Sequence, residues 1–170
     1  MADYLGVLDS LYLTANQPAF AANYRSSSRV GKTAKRHLVD PSLSCALLGL
    51  SPSGLMQDLN TFGLMFEALV ERDLRIYMSS LGGELRHFRD NVSGDEVDAI
   101  LEFEDGRYAA AEIKLGANSI PEAIRNLENF YSNVVRKPEF MCVIVGTVEA
   151  AYRDPESGVF VVPITSLGVY

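Results

Sequence analysis

The stretch from Gly94 to Gly116 constrains the fold more tightly than any other part of the chain. Val97, Ala99, Leu101 and Phe103 alternate with Asp98, Ile100 and Glu102; Arg107 to Leu115 alternates again, with Ala109, Ala111, Ile113 and Leu115 on one side. Such a period of two marks a strand with unlike faces, because successive side chains leave opposite sides of a pleated backbone. Glu104-Asp105-Gly106 between the runs is turn chemistry, and Gly106 can take the positive φ that a short hairpin needs. A three-residue loop pairs Phe103 with Arg107 and sets Asp98 opposite Glu112. Cross-strand Cβ atoms stand roughly 4.5–5.5 Å apart, so the two carboxylates converge, with Lys114 on the same side. A slip of one residue would part them.

Two carboxylates and a lysine on one patch suit divalent-metal chemistry. Oxygen donors hold Mg²⁺, the metal neutralises phosphate charge and activates a water, and an ammonium stabilises developing charge. A solvated hairpin face is the alternative. Ile100, Tyr108 and Ala110 share the charged face, however, so it is expected to be partly covered, and covered carboxylates need a metal or Lys114 as partner.

With 170 residues, 48% hydrophobic and 22% charged, the chain has the length and composition of one globular domain or one plus a fragment. No apolar run approaches the ~20 residues of a membrane span, and the first residues lack the pattern of a secretory signal. Cys45 and Cys142, isolated in apolar surroundings, read as buried free thiols of a reducing cytoplasm, and with His37 and His87 they show no zinc-ligand spacing. The net charge of −7 is uneven: five Lys/Arg against two Asp give +3 over residues 1–37, and ten against twenty acidic residues give −10 over 38–170. An acidic body repels nucleic acid, whereas the basic cluster Arg25, Arg29, Lys32, Lys35 and Arg36 could contact it; a solvated loop is the plainer reading.

Tyr4, Leu5, Leu8, Leu11 and Tyr12 recur at helical spacing, the basic loop follows, and His37 to Asp40 reads as a short strand. Helix, basic loop and strand are the order of the end of a winged helix, so residues 1–50 are expected to be the C-terminal part of such a module, cut from a longer protein. Asp40 and Pro41 start a short helix as N-cap and first residue. Ser51 to Gly54 reads as a linker, and residues 51–170 as the main domain. The longest helix runs from Leu59 or Thr61 to about Ser79, with Glu67 flanking its apolar stripe as a third carboxylate if the helix packs beside the hairpin. Gly63 within it suggests close packing. A strand over Leu85–Asp90, the hairpin, a helix capped by Asn118 or Ser119, a buried strand over Phe140–Val145 and an edge strand over Val159–Ile164 complete the order. His87 reads as structural.

This order, with Asp98, Glu112-Ile113-Lys114 and helical Glu67, resembles the PD-(D/E)xK nuclease superfamily, a restriction-endonuclease-like α/β fold with a mixed sheet flanked by helices. More narrowly, the chain resembles the domain of unknown function at the C-terminus of a large family of prokaryotic AAA ATPases. The carrying residues are Tyr4-Leu5 and Leu8, His37 to Leu43 with Ala46 to Gly49, Gly63, Phe66-Glu67, His87 to Asp90, Glu96 to Asp98 and Ala111 to Lys114. The resemblance implies Asp98, Glu112 and Glu67 as Mg²⁺ ligands with the Ile113 carbonyl, and Lys114 orienting the attacking water. Glu96 would pair with Lys114. An upstream AAA domain would bind ATP; here Gly31-Lys32-Thr33 lacks the rest of a phosphate-binding loop, so no ATP site is expected in this chain.

Two readings stand. One is a Mg²⁺-dependent nuclease domain acting on DNA. The other is a non-catalytic module of the ATPase that binds DNA or protein or forms homo-oligomers, favoured by the acidic body. A regulatory protein acting through its basic segment is a weaker third.

Overall fold

The computed structural model describes residues 2–21, 33–90 and 94–168. Helix α1 (Ala2–Ser10) leads into a two-stranded antiparallel ribbon, β1 (Thr14–Gln17) and β2 (Lys35–Leu38), paired from Thr14↔Leu38 to Gln17↔Lys35. Helices α2 (Pro41–Leu47), α3 (Pro52–Gln57) and α4 (Leu59–Ser80) follow, then β3 (Gly83–Arg89), β4 (Glu96–Phe103), β5 (Tyr108–Lys114), α5 (Ile120–Asn133), β6 (Met141–Val145), β7 (Tyr152–Arg153) and β8 (Phe160–Pro163). The result is a mixed α/β fold whose six-stranded sheet has the order β3-β4-β5-β6-β8-β7.

The hairpin forms as its alternation dictates. Phe103 N–H donates to Arg107 O at 2.9 Å, and Gly106 takes φ 84° in the turn. Strands β3, β4 and β5 are antiparallel neighbours, whereas β5, β6 and β8 run parallel. A parallel neighbour demands a crossover, which α5 supplies between β5 and β6. Ala109, Ala110 and Ala111 in the middle of β5 are buried. Such short side chains let helices close on both faces of the sheet.

Helix α4 covers one face. Phe66, Val70, Leu74 and Met78 recur every four residues and are buried, with Ala99, Ala111, Ile113 and Ile144 beneath the first three. Each large side chain so buried contributes roughly 1.5–3 kcal/mol. Asp58 starts the helix by accepting from Thr61 N–H at 3.1 Å. Helix α5 covers the other face with Ile120, Ala123, Leu127 and Phe130 against Val97, Ile100, Tyr108 and Val143. The charged face of the hairpin is thus covered, as its apolar companions Ile100, Tyr108 and Ala110 indicated.

The N-terminal ribbon shares this core. Phe20 N–H donates to His87 O at 2.7 Å and His87 N–H to Pro18 O at 3.0 Å, so the chain after β1 closes the free edge of β3. The buried Phe20 ring packs 4.6 Å from that of Tyr108.

Several expectations need correction. Residues 14–17 form a strand between the N-terminal helix and the basic segment, where none was expected: Thr-Ala-Asn-Gln carries no apolar alternation and is held by its ladder to β2. Ser51-Pro52-Ser53-Gly54 starts helix α3, with Ser51 Oγ accepting from Gly54 N–H at 3.1 Å, instead of linking two pieces. The Ser119 side chain makes no capping bond; a short 3₁₀ turn over Ala117–Ser119 leads into α5. Gly63 has open space where a Cβ would stand, so nothing packs closely on it. The two-residue strand β7 pairs with Phe160 and Val161, so β8 is not the sheet edge along that stretch. Cys142 is buried and its thiol is pushed up to about 12 by burial, whereas Cys45 is half-buried; both are free. No helix among the described residues is long and apolar enough to cross a membrane.

Candidate active site

The β4–β5 ladder runs Leu101↔Ala109, Ile100↔Ala110, Ala99↔Ala111, and the next step in that register sets Asp98 against Glu112. Ile113 N–H donates to Asp98 Oδ2 at 2.9 Å. Lys114 Nζ lies 2.7 Å from Glu112 Oε2 and 3.6 Å from Asp98 Oδ2. The three side chains expected to converge do so, and Asn126 of α5 adds a hydrogen bond to Glu112. Glu96 does not join them; it lies opposite Arg89, with Arg89 Nε 4.0 Å from Glu96 Oε2.

Burial dominates the electrostatics. Only 3% of the Glu112 side chain is exposed; burial, and then the Asp98 charge, push its carboxyl up to about 7. Burial raises Asp98 as well, with Lys114 pulling it down and Glu67 adding to the rise. Burial opposes the Lys114 ammonium, but Asp98 and Glu112 outweigh it and hold that group above its ordinary range. One ammonium faces two covered carboxylates, so ionising both leaves a net negative charge on hard oxygen donors.

Glu67 stands at the border of a second cluster. Lys35 of β2 reaches across to α4, where it pairs with Glu67 and lies 3.0 Å from Glu71 Oε1. His37 Nδ1 lies 2.7 Å from Glu71 Oε2, and His37 Nε2 lies 3.0 Å from Gln17 Oε1. Burial works against the Lys35 ammonium, yet Glu71 and Glu67 more than reverse this and hold it well above its usual range. Arg36, on the other side of the ribbon, is exposed and donates to Asn16 Oδ1 at 3.2 Å. Arg25, Arg29 and Lys32 lie outside the described residues.

Gln17, His37 and Glu71 escaped the sequence reading. A faint signal existed: Lys35 and His37 are two apart on a strand, hence on one face, and Glu67 and Glu71 are one helical turn apart. Nothing local says that these two faces meet. Burial splits His87 from this group: desolvation lowers it, and its Nε2 faces Thr33 O at 3.3 Å, a structural role.

Chemically, Asp98 and Glu112 could hold a divalent cation that keeps several waters, the manner of binding Mg²⁺ favours. Among the described residues, no three or more His, Cys, Asp and Glu side chains gather into a metal site of their own. The fit is therefore to a hydrated cation on two carboxylates, not to a protein cage.

A mixed sheet between two helices, with paired carboxylates and a lysine on its central hairpin, defines the class of this molecule. Residues 62–167 match the family described as "Domain of unknown function (DUF4143)", and the chain belongs to that family. Residues 1–54 match a second family, "Domain of unknown function (DUF8612)". Among curated proteins no match was found. Among solved structures, the chain is similar to a chain in the refined half-complex from the tetradecameric assembly of Thermococcus gammatolerans McrB AAA+ hexamers with bound McrC. That similarity has a TM-score of 0.41 at 9% identity, covering 98% of this chain and 62% of that one. The present chain thus spans less than two thirds of that chain's length.

Proposed function

We propose that this chain carries a restriction-endonuclease-like, PD-(D/E)xK core that hydrolyses DNA phosphodiester bonds with Mg²⁺, as the C-terminal domain of an AAA ATPase. One observation carries the reading: Lys114 Nζ stands between Glu112 Oε2 at 2.7 Å and Asp98 Oδ2 at 3.6 Å on neighbouring strands. The order α4, β3, β4, β5, α5, β6, with an antiparallel start and a parallel crossover, supports the same fold. Mg²⁺ bound there would supply a Lewis acid and an activated water. Asp98 and Glu112 would hold the cation, with the Ile113 carbonyl as a further donor and Glu67 as another once it leaves Lys35. Lys114 presents its ammonium to the charge that grows on the phosphate oxygens. Helix α5, behind Glu112, keeps bulk water from that carboxylate. Helix α1 followed by a ribbon supports reading residues 1–50 as the end of a winged helix, whose basic residues Arg25, Arg29, Lys32, Lys35 and Arg36 would contact DNA.

A second reading has its own observations. Lys35 already pairs with Glu67, and residues 38–170 carry −10. Both favour a non-catalytic module that joins the ATPase to a partner or to copies of itself. The deciding experiment is a calorimetric Mn²⁺ titration together with cleavage of single- and double-stranded DNA at low salt, using wild type and Asp98→Asn. The nuclease reading expects binding and cleavage in wild type and neither in the variant. Binding without cleavage moves the assignment to the module, and a folded wild type that does neither overturns the metal site altogether.

A further inference from the structure

Strands β3 and β4 lose register beside the site. Arg86 pairs with Ile100 and Phe88 with Val97, so Asp98 and Ala99 both stand against His87. A bulge of this kind bends its strand and re-aims the side chains next to it. The Gln17 side chain, 0% exposed, enters this irregularity. Its Nε2 donates to Arg86 O at 2.9 Å and to Asp98 O at 3.0 Å. Both amide hydrogens are thereby used on two strands of the sheet, which leaves Gln17 Oε1 as the acceptor for His37 Nε2 at 3.0 Å. His37 Nδ1 faces Glu71 Oε2 at 2.7 Å. Lys35 closes the chain on Glu71 and Glu67. A line of hydrogen bonds and close charged contacts therefore joins the backbone of Asp98 to helix α4, and every link passes through the N-terminal ribbon.

We infer that Gln17 is a positioning residue for Asp98 and that the β1–β2 ribbon is an integral part of the site. Gln17 fixes the bulge, and the bulge aims the Asp98 carboxylate at Ile113 N–H and Lys114. His37 holds the Gln17 amide in the orientation that donates to both carbonyls. What Asp98 then binds rests on the reading under Proposed function; that Gln17 sets its place does not.

The test compares Gln17→Met, which keeps length and loses both donors, with Phe20→Leu. The second trims a buried ring three residues away without touching the bulge. Amide hydrogen exchange at Ile113 in the metal-free protein reports its bond to Asp98 Oδ2. After correction for global stability, exchange at Ile113 is expected to quicken roughly tenfold in Gln17→Met and to stay at the wild-type rate in Phe20→Leu. Mn²⁺ affinity should fall by a similar factor, roughly tenfold, in the first variant alone. His37→Gln, which can still donate to Gln17 Oε1, should preserve most of the protection, and His37→Leu should behave like Gln17→Met. That histidine pair carries the comparison if Gln17→Met does not fold. Equal exchange at Ile113 in Gln17→Met and Phe20→Leu, or in the two histidine variants, overturns the inference whether or not metal binds. A wild type that binds no Mn²⁺ overturns the cation reading, and the exchange rates still decide the role of Gln17.

Discussion

Two clusters in this molecule have the same composition, two carboxylates and one lysine, and differ in almost everything else. Asp98, Glu112 and Lys114 lie within one hairpin, and burial leaves both carboxyls raised despite the ammonium between them. Glu67, Glu71 and Lys35 come from a helix and a distant ribbon. There the buried Glu71 is met on one oxygen by Lys35 and on the other by His37. The difference teaches that residue type alone does not decide what a charged cluster does; which elements its cations come from, and how they balance the carboxylates, does. The helix cluster is tied to the ribbon by Lys35 and His37. The hairpin cluster sets one lysine against two buried carboxyls, and the cation site proposed above rests on that imbalance.

The sharpest way to break this comparison is to remove each lysine and follow DNA cleavage. Under the nuclease reading proposed above, Lys114→Ala should lower cleavage by roughly 10²–10³-fold while Mn²⁺ binding persists, because its proposed role begins with charge developing in the transition state. Lys35→Ala should cost less than roughly tenfold per folded molecule if its work is structural. Equal losses would show that the two clusters act as one.

Stability should rank the lysines the other way. Lys35→Met takes from Glu71, whose side chain is 1% exposed, its lysine partner. Breaking a buried pair costs about 3 kcal/mol, read as a shift in urea midpoint. Lys114→Met should cost only about 1 kcal/mol near neutral pH, since Glu112 can take up a proton instead. A smaller loss for Lys35→Met than for Lys114→Met would reverse the assignment.

Proton linkage separates the clusters further. The Glu112 carboxyl is raised from 4.5 to about 7, so the folded state keeps a proton that the unfolded chain has released. Its contribution is most favourable at low pH and is lost as pH climbs from 4.5 through about 7. Melting temperature across that window should fall more steeply in wild type than in Glu112→Gln, and saturating Mg²⁺ should narrow the gap. Parallel profiles would count against surplus negative charge at the hairpin.

The smallest expected effect is a gain. Asp98→Asn keeps an acceptor for Ile113 N–H and removes repulsion with Glu112, so stability should rise by roughly 1 kcal/mol while Mg²⁺ binding is lost. A destabilised variant would mean that attraction to Lys114 outweighs that repulsion.

Much of the architecture was legible because it is written in short periods. The hairpin register followed from alternation and one turn glycine, and α4 and α5 from apolar residues three and four apart. The buried strand β6 followed from an unbroken apolar run. These signals are local, and each is repeated over several residues. Strand β1, the start of α3 and the two-residue β7 were not legible, because their sequences are short or polar and their backbone bonds are satisfied by partners elsewhere; β2, expected over His37 to Asp40, forms two residues earlier over Lys35–Leu38.

The sequence by itself put Asp98, Glu112 and Lys114 on one face once Glu104 to Gly106 was taken as a three-residue loop, because the pleat then fixes which side chains share a side. Only the tertiary structure decided that Gln17, His37, Lys35 and Glu71 would become one buried network. Gln17 reaches Arg86 and Asp98 across 69 and 81 residues of chain. No periodicity spans such a distance. A buried polar side chain finds its partners only when helices and strands have closed around it, and the cost of leaving it unpaired then fixes the choice.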